Sequence, residues 1–492
     1  MNHPRPSSFV HDLIRRLGEQ GQHDNGIHQE LLVSRSTPQG FRLGTGADLF
    51  THALIPAIAS ATSEVIFVTC FWAPSKSLSA LHDALVALAT HRRGLSGENG
   101  ITTLRPLRFR ICLSSRSILQ KLLHPQSADG YVYPPSSWQK QLGLPDPALL
   151  DAARIDLQVK SLFFLPFSVM HPKFVIIDRQ RALIPSCNVS WEPWLEGCVE
   201  FTGDAVLGLL SFYSLTWEKH LDFRSAPGDG GGPPPFDARD ARLTLVPSTV
   251  HYHAPMAAIA APLPTLLLPS PYHRNPQFRP FPWQKAPRPP GTPLNTALLE
   301  LLGQAQRSVY VQTPNLTCQA VIVALLDALK RGVSVTVVTS RNMMLLEQLV
   351  TAGTTTSLCL RSLIRRFRNL QGGFADQHRD LEIGHPRLGE LHISYFHPRS
   401  PVSAAGFEGE SLVVVSEHEA EEPVHSHLKL TIVDHQFTLL GSGNMDRASW
   451  YTSQELGVMF HDDRFAATVK AAVDRVLDGR LHLVFDSTES QD

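Results

Sequence analysis

The stretch His171-Pro-Lys-Phe-Val-Ile-Ile-Asp178 recurs as His427-Leu-Lys-Leu-Thr-Ile-Val-Asp434, and this pair decides the fold. Each copy holds a histidine, a lysine two positions on, an apolar run rich in branched residues and a closing aspartate. Residues i and i+2 of a strand share a face, so imidazole and ammonium are expected to project together from a rigid element. The apolar run suits a buried strand, with Asp178 and Asp434 at its far end. Phosphate chemistry calls for this pairing: a nitrogen that titrates near neutrality, and a fixed positive charge for non-bridging oxygens. With 23 His, 10 Lys and 25 Asp in 492 residues, random placement gives on the order of 0.02 copies of H-x-K-x4-D, so two are not chance.

The repetition spreads outward in both directions. Ser186-Cys-Asn188 follows the first aspartate at the same offset as Ser442-Gly-Asn444 follows the second. Glu196-Gly-Cys-Val-Glu-Phe201 then parallels Glu455-Leu-Gly-Val-Met-Phe460, each leading into a terminal helix. Upstream, Ala61 to Thr69 resembles Ala305 to Thr313, and each continues as a helix and a second strand, Leu107–Leu113 and Val333–Val338. Strands alternating with helices predict an α/β chain of two similar modules, each a mixed sheet flanked by helices. The Gly/Pro tract Ser225 to Pro235 cannot hold a packed element and separates them. The expected division is a module at 1–224, a linker at 225–264 and a second module at 265–492. Within the last, residues 361–422, basic at Arg361 to Arg368 and acidic at Glu417 to Glu422, read as a surface insertion.

These paired motifs make the chain resemble the phospholipase D superfamily, the HKD phosphodiesterases, over nearly its whole length. The resemblance implies two modules packed about a pseudo-twofold axis and one shared site. It also implies a phosphohistidine mechanism without metal or cofactor. The motif set is His171, Lys173, Asp178, His427, Lys429 and Asp434. By resemblance His171 is the nucleophile and His427 the general acid/base, an order that near-identical motifs allow to be reversed. Lys173, Lys429, Asn188 and Asn444 would bind phosphoryl oxygens, with Ser186 and Ser442 beside them. Glu196 and Glu455 would orient the histidines through Nδ1, and Asp178 and Asp434 would hold the motif's architecture. Pro185 stands where the second copy has the more typical Gly441.

Composition narrows the substrate. The 44 Lys+Arg nearly cancel 45 Asp+Glu, which argues against nucleic acid as a partner held by bulk charge. Trp191, Trp194 and Trp450 beside the motifs, and apolar residues between Tyr252 and Trp283, favour a greasy mouth. The expected substrate is therefore a phospholipid, with water or an alcohol as acceptor in the manner of a cardiolipin synthase, and peripheral contact with a membrane. A nuclease, and a non-catalytic interaction protein keeping the fold, are the alternatives. Phe9, Val10, Leu13, Ile14 and Leu17 form an apolar stripe read as packing onto the domain, against an interfacial helix. Six scattered cysteines fit a reducing compartment, and Asp12, Arg15 and Arg16 interrupt what a signal peptide would need. A cytoplasmic protein is expected, without a membrane span.

Overall fold

The computed structural model describes residues 8–19, 29–98, 105–117, 120, 129–164, 168–224, 249–256, 259, 261–271, 288–377, 387–399 and 421–489. The Gly/Pro tract, much of the apolar loop before Trp283, and Glu417 and Glu419 lie outside them.

In the N-terminal half, β1 (Val33–Gly44), β2 (Glu64–Phe71), β3 (Leu107–Ser115), β4 (Ile155–Ser161), β5 (Phe174–Ile177), β6 (Arg181–Pro185) and β7 (Trp194–Gly203) form a mixed sheet. Its order is β4-β3-β2-β5-β6-β7-β1, parallel across the first three strands and antiparallel thereafter. A short strand, β8 (Tyr252–Pro255), also runs against β1. The C-terminal half has β9 (Leu263–Ser270), β10 (Ser308–Thr313), β11 (Ser334–Thr339), β12 (Leu391–Phe396), β13 (His425–Ser426), β14 (Leu430–Val433), β15 (Phe437–Gly441), β16 (Glu455–His461) and β17 (Leu481–Asp486). Its order, β12-β11-β10-β14-β15-β16-β9, repeats the first, and β17 is added outside β12. The halves join where β1 runs antiparallel to β9, with Val33 opposite Leu266 and Ser36 opposite Leu263. Equivalent strands meeting antiparallel are what a local twofold axis between them generates.

Helices cover this continuous sheet. They include α1 (Ser8–Glu19), α2 (Lys76–Glu98), α3 (Ala205–Trp217), α4 (Pro293–Gln304), α5 (Gln319–Lys330), α6 (Leu345–Ala352), α7 (Thr356–Gln377), α8 (Arg447–Tyr451) and α9 (Asp463–Leu477). Parallel neighbours need a crossover, which α2 supplies between β2 and β3 and α5 between β10 and β11. Strand alternation sorts the core: Val65 and Phe67 face one apolar cluster with Leu81 and Leu85, while Ile66 and Val68 face another that runs through both halves. Among the described residues no helix is long and apolar enough to cross a membrane.

Three sequence expectations need correction. The apolar stripe of α1 is buried, but against the C-terminal half. Phe9 lies 5.1 Å from the Phe437 ring and Arg16 pairs with Glu300 at 2.8 Å, so the first residues belong spatially to the second module. The linker assigned to 225–264 contains β8 and the start of β9. The insertion assigned to 361–422 is not all surface. Residues 391–396 form β12, an interior strand equivalent to β4, and Leu363 and Phe367 of α7 are buried in the core. The strand was masked by its neighbours, since LHISYF is short and lies beyond a long charged stretch.

Candidate active site

Each motif ends in a hairpin turn. Asp178 and Arg179 have φ of 51° and 57°, Asp434 and His435 φ of 53° and 58°, and Gln180 and Gln436 return N–H bonds to Ile177 and Val433 at 3.0 Å. Two successive left-handed residues make the turn that suits a tight hairpin, and aspartate tolerates that conformation better than most residues. Its carboxylate then caps the start of the neighbouring strand. Asp178 accepts from the N–H groups of Thr62, Ser63 and Glu64 at 2.9, 2.8 and 2.8 Å. Asp434 accepts from Gln306, Arg307 and Ser308, at 3.0, 2.7 and 3.0 Å. Burial raises the Asp178 pKa, but these bonds outweigh it and hold the carboxyl below its ordinary value. Both aspartates thus lock β5 to β2 and β14 to β10, at the strand ends remote from the histidines.

The histidines and lysines precede β5 and β14 rather than lying on them, because the ladder begins only at Phe174 and Leu430. Backbone pairing between the halves fixes them instead. His171 N donates to Gln454 O at 3.1 Å, and His427 N donates to Leu195 O at 2.8 Å. Residues 425–426 run parallel to 194–195, and Met170 is bridged to Gln454. Each histidine therefore docks beside the glutamate of the opposite module. His427 Nδ1 lies 2.8 Å from Glu196 Oε1, and His171 Nδ1 lies 2.9 Å from both oxygens of Glu455. The crossing, each imidazole in one half held by a carboxylate from the other, brings both motifs to one place.

The serines serve the glutamates. Ser186 Oγ donates to Glu196 Oε2 and accepts from Gly197 N at 2.9 Å. Ser442 Oγ donates to Glu455 Oε2 at 2.5 Å and accepts from Leu456 N at 3.0 Å. Ser186 and Ser442, expected beside the phosphoryl-binding residues, are buried with their hydroxyls bonded to the carboxylates. Ser449, missed in the sequence, adds a bond to Glu455 Oε1 at 2.6 Å. The Asp-x-x-Ser spacing from Asp446 to Ser449, with Asp446 capping α8 by accepting from Ser449 N at 2.8 Å, was its one signal. Asn188 Oδ1 accepts from Phe71 N at 3.2 Å, and Asn444 Nδ2 donates to the buried Asp446 carboxylate at 3.0 Å.

Electrostatics follow from burial. Lys173 Nζ donates to His171 O at 2.8 Å, and Lys429 Nζ lies 2.7 Å from His427 Nε2. Burial lowers the Lys429 pKa to about 7, with nearby Lys173 adding to the shift and Glu196 opposing it. Burial likewise lowers His427 to about 3 against the pull of Glu196, and lowers His171 against Glu455. Glu196 is held below its ordinary value: burial raises it, but His427 and Lys429 outweigh that. Both rings therefore rest neutral, with Nδ1–H directed at a carboxylate, and Nε2 of His427 is turned toward Lys429. The two motifs sense each other, since Lys429 acts on His171 and Lys173 acts on His427. His171 is the more open ring, 16% exposed at its side chain against 4% for His427.

Aromatic residues line one side. The Trp194 ring lies 4.8 Å from His427, and Trp191 is exposed with its ring 6.0 Å from Phe71, whereas Trp450 is buried in the core. A cleft of about 620 Å³, lined by Trp72, His82, Arg116 and Lys140 among others, adjoins the first Ser-x-Asn segment through the Trp72–Val189 bridge. Asp48, His52 and His251 are a group of metal-capable side chains among the described residues, their ligand atoms within 4.8 Å of one another. They are no part of the His–Lys–Glu constellation. All six cysteines are buried, matching their reading as small apolar residues.

Residues 298–477 match the family model described as cardiolipin synthase, PLD-like domain, from within α4 to the end of α9. No curated protein matches the sequence. Among solved structures, the chain is similar to phosphatidylserine synthase of Haemophilus influenzae Rd KW20 at 14% identity, with 95% of this chain and 91% of that one covered and a TM-score of 0.48. It is similar to Nuc, a phospholipase D family member from Salmonella typhimurium, at 16% identity over 39% of this chain and 90% of that one, TM-score 0.24. Polyphosphate kinase from Porphyromonas gingivalis is similar at 12% identity over 91% of this chain and 53% of that one, TM-score 0.40.

Proposed function

We propose that this chain, whose residues 298–477 match the cardiolipin synthase, PLD-like domain model, is a phosphodiesterase of the phospholipase D type acting on phospholipids. It hydrolyses the head-group ester or transfers a phosphatidyl group to an alcohol. The crossed His171–Glu455 and His427–Glu196 pairs carry this reading, because they bring two neutral imidazoles and two lysines from separate modules to one place.

His171 Nε2 attacks phosphorus, its openness and the Glu455 carboxylate behind Nδ1 favouring it as nucleophile. The P–O bond to the leaving group breaks, and His427 Nε2 gives its proton to that oxygen. His427 acquires this proton when the anionic phosphodiester draws Lys429 off Nε2 and raises the ring's pKa. Lys173, Lys429 and the amide of Asn188 take the non-bridging oxygens. Water or an alcohol then loses its proton to His427 and attacks phosphorus from the face the leaving group vacated, and the P–N bond to His171 breaks. Asp178 and Asp434 stay out of the chemistry and keep the strands in register.

The match to the cardiolipin synthase, PLD-like domain supports a lipid substrate, as do the aromatic wall and a net charge of −1. The test is incubation with labelled phosphatidylglycerol and phosphatidylcholine, with and without glycerol or ethanol, beside a single-stranded oligonucleotide. Phosphatidic acid or a phosphatidyl-alcohol is expected. Oligonucleotide cleavage with untouched lipid would replace the lipid reading by a nuclease, and turnover by His171→Ala or His427→Ala would overturn the mechanism.

A further inference from the structure

The most exposed run of large apolar side chains among the described residues follows β11. Met344, Leu345, Leu346, Leu349, Val350 and Leu358 all face solvent, Leu346 at 76% exposure and Leu349, Val350 and Leu358 at 51–52%. Leu346, Leu349 and Val350 stand at i, i+3 and i+4 on α6, so they form one face of that helix. The opposite face is pinned down: Gln348 is buried, accepts from Thr356 N at 2.6 Å and donates to Met343 O at 2.5 Å. The apolar ridge is thus held out from the body by a fixed polar anchor, not left by loose packing.

Charge surrounds the ridge on one side. Leu358, Arg361 and Arg365 are exposed at i, i+3 and i+7 of α7, so the apolar face runs directly into a basic one. Arg341, at the entry to α6, is exposed too. The ridge also belongs to the catalytic side of its module. Leu316 N donates to Thr356 Oγ1 at 3.0 Å, and Leu316 is bridged to Met445, the neighbour of Asn444. The helix α6 itself packs on α8, which carries Ser449.

We infer that the α6–α7 corner is a membrane-docking surface: Leu346, Leu349, Val350 and Leu358 enter the acyl boundary of an anionic phospholipid bilayer while Arg341, Arg361 and Arg365 meet its phosphates. Contiguous exposed apolar surface of this kind marks an interaction site, and basic side chains on its flank select a negatively charged lipid surface over a neutral one. Docking there would bring the lipid phosphate layer beside the second Ser-x-Asn segment. The choice of bilayer as occupant rests on the phospholipid reading of the active site.

The test is co-sedimentation of the full chain with vesicles of phosphatidylcholine, with and without added phosphatidylglycerol. The wild-type chain should bind the anionic vesicles and lose binding in high salt. Leu346→Ser/Leu349→Ser should weaken binding on the order of 100-fold, and Arg361→Gln/Arg365→Gln roughly tenfold. Both variants lie on the surface and should keep full turnover of bis(p-nitrophenyl) phosphate in solution. Unchanged vesicle binding by either variant would overturn the inference while leaving the catalytic reading intact. Binding that needs Leu346, in a protein that cleaves no phospholipid, would overturn the substrate instead. A wild-type dimer in light scattering that Leu346→Ser turns into a monomer would assign the ridge to a second copy of the chain and sink the membrane role.

Discussion

Replacing Glu455 by glutamine tests the crossed pairing most sharply. The Glu455 carboxylate is buried and receives three donors: His171 Nδ1 at 2.9 Å, Ser442 Oγ at 2.5 Å and Ser449 Oγ at 2.6 Å. The amide has the same shape but only one acceptor oxygen, so at least one donor meets an N–H group, and the negative charge that balances the phosphorylated imidazole is gone. Breaking one side of a buried charge-assisted pair costs about 4 kcal/mol, or roughly a thousandfold in rate. Rapid-quench trapping should find phosphohistidine formation slowed by that factor in Glu455→Gln. In Glu196→Gln, where His427 is affected, the intermediate should also form slowly and persist, because its breakdown needs the same base. Imidazole N–H resonances give a direct control: Glu455→Gln should shift the His171 proton, from the other module, and leave that of His427 in place. A shift confined to the histidine of the same module would refute the geometry.

The free-enzyme pH profile of kcat/KM should be bell-shaped and displaced toward acid. It rises as His171 loses its proton below the ordinary histidine value and falls as Lys429 deprotonates near pH 7; Lys429→Arg should push out the alkaline limb. His427 titrates near 3 in the folded chain and near 6.5 unfolded, so between those values the unfolded state binds the extra proton. The stability His427 permits at neutral pH is therefore lost as pH falls from 6.5 toward 3, and urea titrations of His427→Gln should show a flatter acid limb. Asp434→Ala strands three N–H groups of the segment entering β10 and should cost about 3 kcal/mol in denaturant melts, with activity per folded molecule largely kept. Ile393→Ala should cost about 3 kcal/mol, as for a core strand; a cost near zero would return residues 391–396 to the surface.

The motif was legible because its information is local: a two-residue spacing, an apolar run and a turn aspartate, written twice. The two-module α/β architecture followed from the repeat. What stayed hidden depends on contacts across long sequence separations. No spacing says that Glu196 serves His427 rather than His171, since that choice is made by the antiparallel meeting of β1 and β9 and by residues 425–426 lying beside 194–195. The bonds of Ser186 and Ser442 to the glutamates were hidden for a related reason: a hydroxyl near a phosphate site and a hydroxyl behind a glutamate look alike in sequence. The α1 stripe gave its apolar face but not its partner, which lies in the other half of the chain. The strand β12 is hard to read from sequence because it is short and the charged stretch before it dominates the local composition.

In the proposed mechanism one phosphorus is handled by two imidazoles from two modules. A crystal structure with orthovanadate tests it directly. The prediction is a single vanadate bonded to Nε2 of His171, with His427 Nε2 within hydrogen-bond distance of the opposite apical oxygen and both lysines on the equatorial ones. Vanadate bound to one ring while the other points into a different cleft, or two separate anions, would contradict it.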